Sequence, residues 1–225
     1  SESGVETTYI GCIGSTGDGG RLIRALSASN SLSTYALNGR YDFTVGANLL
    51  SSSMWLVEVL CYVPGTGLLV FDGGYGKWAL FSGSQMTHVV SSGRGNTDGA
   101  AMDAKFDNVH GATYSATASA VFTVGEMRIR KILISDYSVS TISYFTNSKW
   151  DTGRVLVDFK SMSGVAHHAP SDSLFITAST SVFKVSPSSG DIARVYGGTH
   201  GYQDDKGHMH EPAGIVVGQD GNFYV

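Results

Sequence analysis

Charged residues are scarce in this chain: they make up 15% of 225 positions, against about a quarter in ordinary globular proteins. The 15 Lys and Arg are outweighed by 19 Asp and Glu, for a formal net charge of −4. Such a surface has no general attraction for a phosphate backbone, so nucleic acid is set aside as a partner. Long apolar runs are missing too. The longest, MWLVEVLCYV from Met54 to Val63, is broken by Glu58 and has half the length of a membrane span, so no membrane span is expected. No Asn-x-Ser/Thr acceptor occurs, which weighs against glycosylated surfaces. The opening SESGVETTYI carries no leader, which suits a cytosolic chain and equally a mature one whose leader was removed. An extracellular or cell-surface setting is the working assignment.

Cysteine is nearly absent. Cys12 and Cys61 stand 49 residues apart, and neither has a second Cys or His at metal-ligand spacing. A Cys12–Cys61 disulfide and two separate buried thiols both stay open, and the disulfide is the expectation carried forward.

What the chain has in quantity is glycine, 29 residues against 4 prolines. With abundant Ser, Thr and aromatics, this composition favours tight turns between short strands and an all-β fold. A repeated pattern supports it. Apolar strands begin at Leu68, Val121, Leu174 and Phe223, 53, 53 and 49 residues apart. A period near 50 indicates propeller blades or a similar array. About ten residues before each anchor lies another short strand, in VEVLCYV, HGATYSA, SGVAHHA and AGIVVG; a third follows in KWALF, RIRKI and VFKV. Strands are therefore expected at Val59–Tyr62, Leu68–Phe71, Val121–Val124, Leu174–Thr177 and Ile215–Val217, each apolar set burying between adjacent blades.

GNTDGAAMDAKFDNVHGATY followed by AVFTVGEMRIRKI resembles an NHL repeat, with its Asp-Gly-Ala turn, Gly-opened strand and Arg-Ile-Arg-Lys-Ile strand. GTHGYQDDKGHMHEPAGIVVGQDGNFYV is similar to the front half of another. The resemblance covers about residues 57 to 225 and implies a β-propeller of four-stranded antiparallel blades, about four blades or partial blades in this chain. Residues 1–225 are then expected to form a single propeller, incomplete in itself and part of a larger ring that further sequence or a partner chain completes. TTYIG, Thr7–Gly11, reads as a blade's fourth strand. The link from Gly11 to Glu58 is 47 residues where two equivalent links have 18 and 17, so an insertion is expected at about 12–56. Within it, Leu22, Ile23 and Leu26 have helical spacing, and Asn38-Gly39 signals a hairpin.

AVFTVGEMRIRKI also concentrates three cations in four residues. On a blade strand, Ile129 and Ile132 are expected to bury while Arg128, Arg130 and Lys131 stay largely in water. Other candidate sites are few. In related propellers, notably the amidating lyases, axial histidines bind zinc from the residue before the blade's opening Gly. His110 occupies that position, but Val57, Ser163 and Ala213 stand at the equivalent ones, so no three-histidine site can be assembled. His110 is expected to line the channel without a metal. His167 and His168, being adjacent, face opposite ways, whereas His208 and His210 share a face. Asp98 and Asp204 occupy corresponding inter-blade turns, where accepting backbone N–H bonds is their ordinary role.

Two classes of function remain. One is a noncatalytic interaction module that binds a protein or glycan through a propeller face or the 12–56 insertion, with His110, Asp98, Asp204 and Tyr202 as ligand-binding candidates and Tyr35, Tyr41 and Trp78 as further exposed aromatics. It needs no cofactor and no metal. The alternative is a propeller hydrolase or lyase with an axial metal. No nucleophile elbow, phosphate loop or zinc-protease helix is present to support it, and no catalytic residue is assigned.

Overall fold

The computed structural model describes residues 7–13, 21–27, 31–36, 45–46, 54, 56–83, 85–125, 127–144, 150–151, 156–157, 162–200, 207–218 and 220–225. They fall into two compact units, residues 1–97 with 101–106, and residues 98–100 with 107–225.

The first unit opens with β1 (Thr7–Ile13), β2 (Arg21–Ser27) and β3 (Leu32–Ala36), an antiparallel sheet in that order. Arg21–Ser27 is therefore strand, and the helical turn expected from Leu22, Ile23 and Leu26 is corrected. Pairing with Gly11 and Ala36 puts Ile23 into the core, and three apolar residues in a short window suit a strand as well as a helix. Thr7–Gly11 likewise begins this sheet, followed by β2 and β3, instead of closing one. The hairpin expected at Asn38-Gly39 lies outside the described residues.

Next come β4 (Val57–Val63), β5 (Gly67–Asp72), β6 (Lys77–Ser82) and β7 (Gln85–Val90), a four-stranded meander. Leu68, Val70, Ala79, Phe81 and Met86 from its strands pack with Ile23 and Met54 in one core cluster. Phe71, Trp78 and Phe106 form a second nucleus, with ring centroids 5.0 to 6.3 Å apart. Trp78 is 0% exposed, which corrects its place among the exposed aromatics. Its partners Phe71 and Phe106 lie 7 and 28 positions away, beyond the reach of local pattern.

The second unit repeats the meander twice. β8 (Val109–Ser115), β9 (Ala120–Gly125), β10 (Arg128–Leu133) and β11 (Val139–Tyr144) form one sheet. After the short pair β12 (Trp150–Asp151) and β13 (Leu156–Val157) come β14 (Met162–His168), β15 (Ser173–Ala178), β16 (Ser181–Val185) and β17 (Ile192–Gly197) as another. Phe122, Val124 and Ile129 of the former pack with Val165, Ile176, Phe183 and Val185 of the latter, the face-to-face burial that alternating strands require. The chain finishes with a two-residue parallel pair, β18 (Thr199–His200) and β19 (His208–Met209), and an antiparallel pair, β20 (Val216–Val217) and β21 (Phe223–Tyr224). Among the described residues no helix is long and apolar enough to cross a membrane.

The four repeat anchors are register equivalents. Leu68 pairs with Tyr62, Val121 with Tyr114, Leu174 with His167 and Phe223 with Val217, each one residue from the same place in its sheet. Opposite the first three, on the third strand, stand Phe81, Ile132 and Val185. The inner strands approach closely at glycine. A Cβ on Gly164 would lie 3.0 Å from the Cα of Gly214 and the nitrogen of Ile215, and one on Gly111 would lie 3.3 Å from the Cα of Gly164. Both are tighter than ordinary packing allows.

Candidate functional site

Arg130 stands at the centre of the basic cluster, and its environment differs from the one expected. It is only 3% exposed, because it shares the sheet face of the buried Ile132, opposite to the face on which Ile129 is buried. Its guanidinium donates from Nε (3.1 Å) and Nη2 (2.8 Å) to Oδ1 of Asp98. The N–H and hydroxyl of Thr141 donate to the same carboxylate at 2.7 and 3.0 Å. Partial burial alone would raise the Asp98 pKa, but the Thr141 N–H, the Arg130 guanidinium and the Thr141 hydroxyl together hold it below the usual carboxylate value. Asp98 is thus a latch that keeps residues 98–100 on the second unit, reinforced by backbone bonds between Gly99 and Val139. Arg128 and Lys131 are half-buried. The expectation that all three cations are largely wet is corrected at Arg130, where a buried charge requires a partner.

His110 is exposed and sits on a bulge. The β8–β9 register steps from Val109 to Gly111 and leaves His110 out of the ladder. The same step leaves out Glu58 in β4 and Ser163 in β14, so the register equivalent of His110 in β4 is Glu58, in place of Val57. Bulges of this kind re-aim a side chain. Among the described residues no group of three His, Cys, Asp or Glu is placed to hold a metal ion. Tyr202, Asp204 and Tyr41 lie outside the described residues, as do the side chains of Tyr35 and His208.

Cys61 is a free, buried thiol, so the expected bridge to Cys12 is not made. Burial pushes its pKa up to about 12, since desolvation disfavours the thiolate. Its place in β4, facing Leu69 of β5, gives it a packing role.

Two histidines that sequence spacing set aside have defined surroundings. His167 Nε2 lies 3.2 Å from Ser115 Oγ and 2.9 Å from Asp172 Oδ1. Both contacts fall on one ring nitrogen, whereas a nucleophilic relay needs the hydroxyl and the carboxylate on opposite nitrogens. Ser115 is also buried, so the cluster joins β8 to β14 structurally. The 52 residues between Ser115 and His167 hide it from sequence reading. His168 turns the other way, with Nδ1 2.8 Å from Ser171 Oγ and its ring 5.5 Å from that of Phe223. Phe175 and Phe223 pack with centroids 4.1 Å apart and ring planes tilted by 39°.

This aromatic pair borders a groove of about 440 Å³. Phe175, Val182, Val195 and Tyr196 of the β14–β17 sheet line it, together with Met209, Phe223 and Val225. Val195 and Val225 are 48% and 58% exposed. The groove was not foreseen. Its one signal in sequence is the apolar run in NFYV.

No family model matches the chain, and no curated protein matches it. Among solved structures it is similar to the extracellular domain of a protein described as a one-component system from B. thetaiotaomicron, at 12% identity and a TM-score of 0.57, over 96% of this chain and 24% of that one. It is also similar to virginiamycin B lyase from Staphylococcus aureus, at 13% identity and a TM-score of 0.53, over 97% of this chain and 67% of the lyase. A glucose dehydrogenase matches at 13% identity and a TM-score of 0.52, over 97% of this chain and 71% of that one. The chain thus spans about a quarter of the first of these proteins. Enzymes and an extracellular domain share the architecture, so the likeness carries the fold alone. That fold is an all-β propeller of four-stranded antiparallel blades.

Proposed function

We propose that the chain is a noncatalytic interaction module, an NHL-type propeller whose second unit binds a protein partner in the groove beside Phe175 and Phe223. The observation that carries this reading is the groove itself: an apolar concavity whose rim exposes Val195, Tyr196, Phe223 and Val225. Contiguous exposed apolar surface of this sort marks interaction sites. A glycan is the other partner class. Phe175 and Phe223 offer aromatic surface for a sugar face, but the lining supplies few groups for its hydroxyls. The exposed His110 bulge remains available to a partner, whereas Asp98 is committed to Arg130 and Thr141. A single propeller module with the 12–56 stretch elaborating its first sheet is the matching domain organisation.

The test is to screen the 225-residue chain against immobilised peptides and glycans, with Val195→Asp as the groove variant and elemental analysis of the same preparation. Peptide binding that the variant loses is expected. Stoichiometric zinc or calcium with turnover of a substrate would replace this reading by the metal-dependent hydrolase or lyase.

A further inference from the structure

Strand β11 ends its sheet, and Asp98-Gly99-Ala100 covers its outer edge at Val139 and Thr141. The chain on either side of that tripeptide is held to itself. Ser91 N–H donates to Ala101 C=O at 2.7 Å, Ser92 N–H to Ala104 C=O at 2.9 Å and Lys105 N–H to Thr97 C=O at 2.9 Å. Asp98 and Ala100 are exposed and Gly99 is half-buried, so the tip brings no apolar side chain into the core. What fastens it is polar. Gly99 N–H donates to Val139 C=O at 3.0 Å, and Val139 N–H donates to Gly99 C=O at 2.8 Å. The Asp98 carboxylate accepts from the Thr141 N–H, the Thr141 hydroxyl and the Arg130 guanidinium. Local opening begins in segments of this kind, with few apolar contacts and hydrogen bonds close to water.

The carboxylate is the part that can be switched. The Asp98 side chain is 42% exposed and that of Arg130 is 4% exposed, so the anion meets water while the cation lies beneath it. Among the described residues the charged groups at this clasp are Arg130, facing Asp98, and Arg128, facing Arg130; β11 contributes the neutral Thr141. Burial works against the charge on Arg130, Asp98 supports it, and Arg128 opposes it. Loss of the Asp98 charge therefore leaves a buried cation beside a like charge, and moving the tip outward lets water reach it. We infer that residues 98–100 form a charge-locked strap, shut while Asp98 is ionised and released from β11 when that charge is lost, with the rest of the β8–β11 sheet intact. Release uncovers the main-chain groups of Val139 and Thr141 on a strand edge, the kind of surface that pairs with other strands. Against the effect of its partial burial, Thr141 and Arg130 hold the Asp98 pKa below the usual carboxylate value. The strap is accordingly fully shut above that value and opens as pH falls through the folded one.

The test is NMR of the 225-residue protein, applied to Asp98→Asn at pH 7 and to wild type along a falling pH series. Two signals report the strap: the cross-strand NOE between Gly99 and Val139, and the exchange protection of the Val139 and Thr141 amides. Both are expected to be lost in Asp98→Asn at pH 7 and in wild type in acid. The β9–β10 ladder, with pairs such as Val124 and Ile129, should keep its NOEs and its protection in the same samples, which also shows that the protein is folded. A Gly99–Val139 NOE and amide protection that survive the loss of the charge would overturn the strap, because the backbone bridge alone then holds the tip. Disappearance of the β9–β10 signals together with those of the strap would overturn it too, since the charge would then serve the whole sheet and no local release exists. Should Asp98→Asn fail to fold, the wild-type pH series decides by the same two criteria.

Discussion

The β8–β11 and β14–β17 sheets bury the same position with opposite chemistry. Arg130 pairs with Thr123, and Phe183 pairs with the register equivalent of Thr123, Ile176. Arg130 is 3% and Phe183 1% exposed. One sheet fills the place with a cation held by Asp98 and Thr141, the other with a ring held by Val165, Ile176 and Val185. What repeats around the blades is burial at a given ladder position. The polar signature belongs to individual blades, which is why a repeat can lose its charged residues and keep its geometry.

Removing the ring should produce the largest effect. Phe183→Ala is expected to cost about 3–5 kcal/mol, through lost transfer energy and the cavity left behind, read from chemical denaturation of the full chain. Asp98→Asn should cost roughly 2–4 kcal/mol, because it leaves a buried guanidinium uncompensated, moderated by the partial exposure of the carboxylate. Asp98 has a lowered folded pKa, so its contribution is complete above the ordinary carboxylate value and fades as pH falls through the folded one. The stability gap between wild type and Asp98→Asn should accordingly close in acid. Combining Asp98→Asn with Arg130→Met sharpens the comparison, since making the first blade apolar like the second should recover most of the loss. If the double substitution is no better than Asp98→Asn alone, burial is not the repeated property.

How much of this could be read beforehand follows the range of the interactions. The anchors were legible because a blade places equivalent core residues at a fixed spacing, and Leu68, Val121 and Leu174 all bury as that spacing requires. Arg130 was misjudged because its carboxylate lies 32 residues upstream, where no strand pattern points. Leu22, Ile23 and Leu26 were misjudged because pairing with β1 and β3 overrides local periodicity. The groove was not legible because it joins Phe175, Val182 and Val195 to Met209 and Phe223, residues that no local pattern brings together.

Two smaller effects extend the comparison to the inner strands. Gly164→Ala should cost roughly 1–3 kcal/mol, since its new methyl meets the backbone at Gly214 and Ile215; thermal melting checks it. Cys61, Thr113 and Ala166 share one register position, and only Cys61 titrates. Its folded thiol keeps the proton that the unfolded thiol releases near pH 9, so stability is complete below that pH and is lost as pH rises toward about 12. Wild type should be about 1.4 kcal/mol less stable at pH 10 than at pH 7 on this account. A Cys61→Ala variant that shows the same alkaline loss would assign it elsewhere.

The order of pairing bears on how the chain reaches this structure. In each complete sheet every strand bonds to the next in sequence, with connections as short as Pro64–Thr66 and Ser179–Thr180. Closing so short a loop carries little entropy penalty, and hairpins of this size form in about 1–10 μs. The ladders can therefore zip independently, before any distant segment arrives. The slower event is the docking of finished sheets through faces such as Phe122 on Phe183, and sheets awaiting it expose those faces to one another and to other chains.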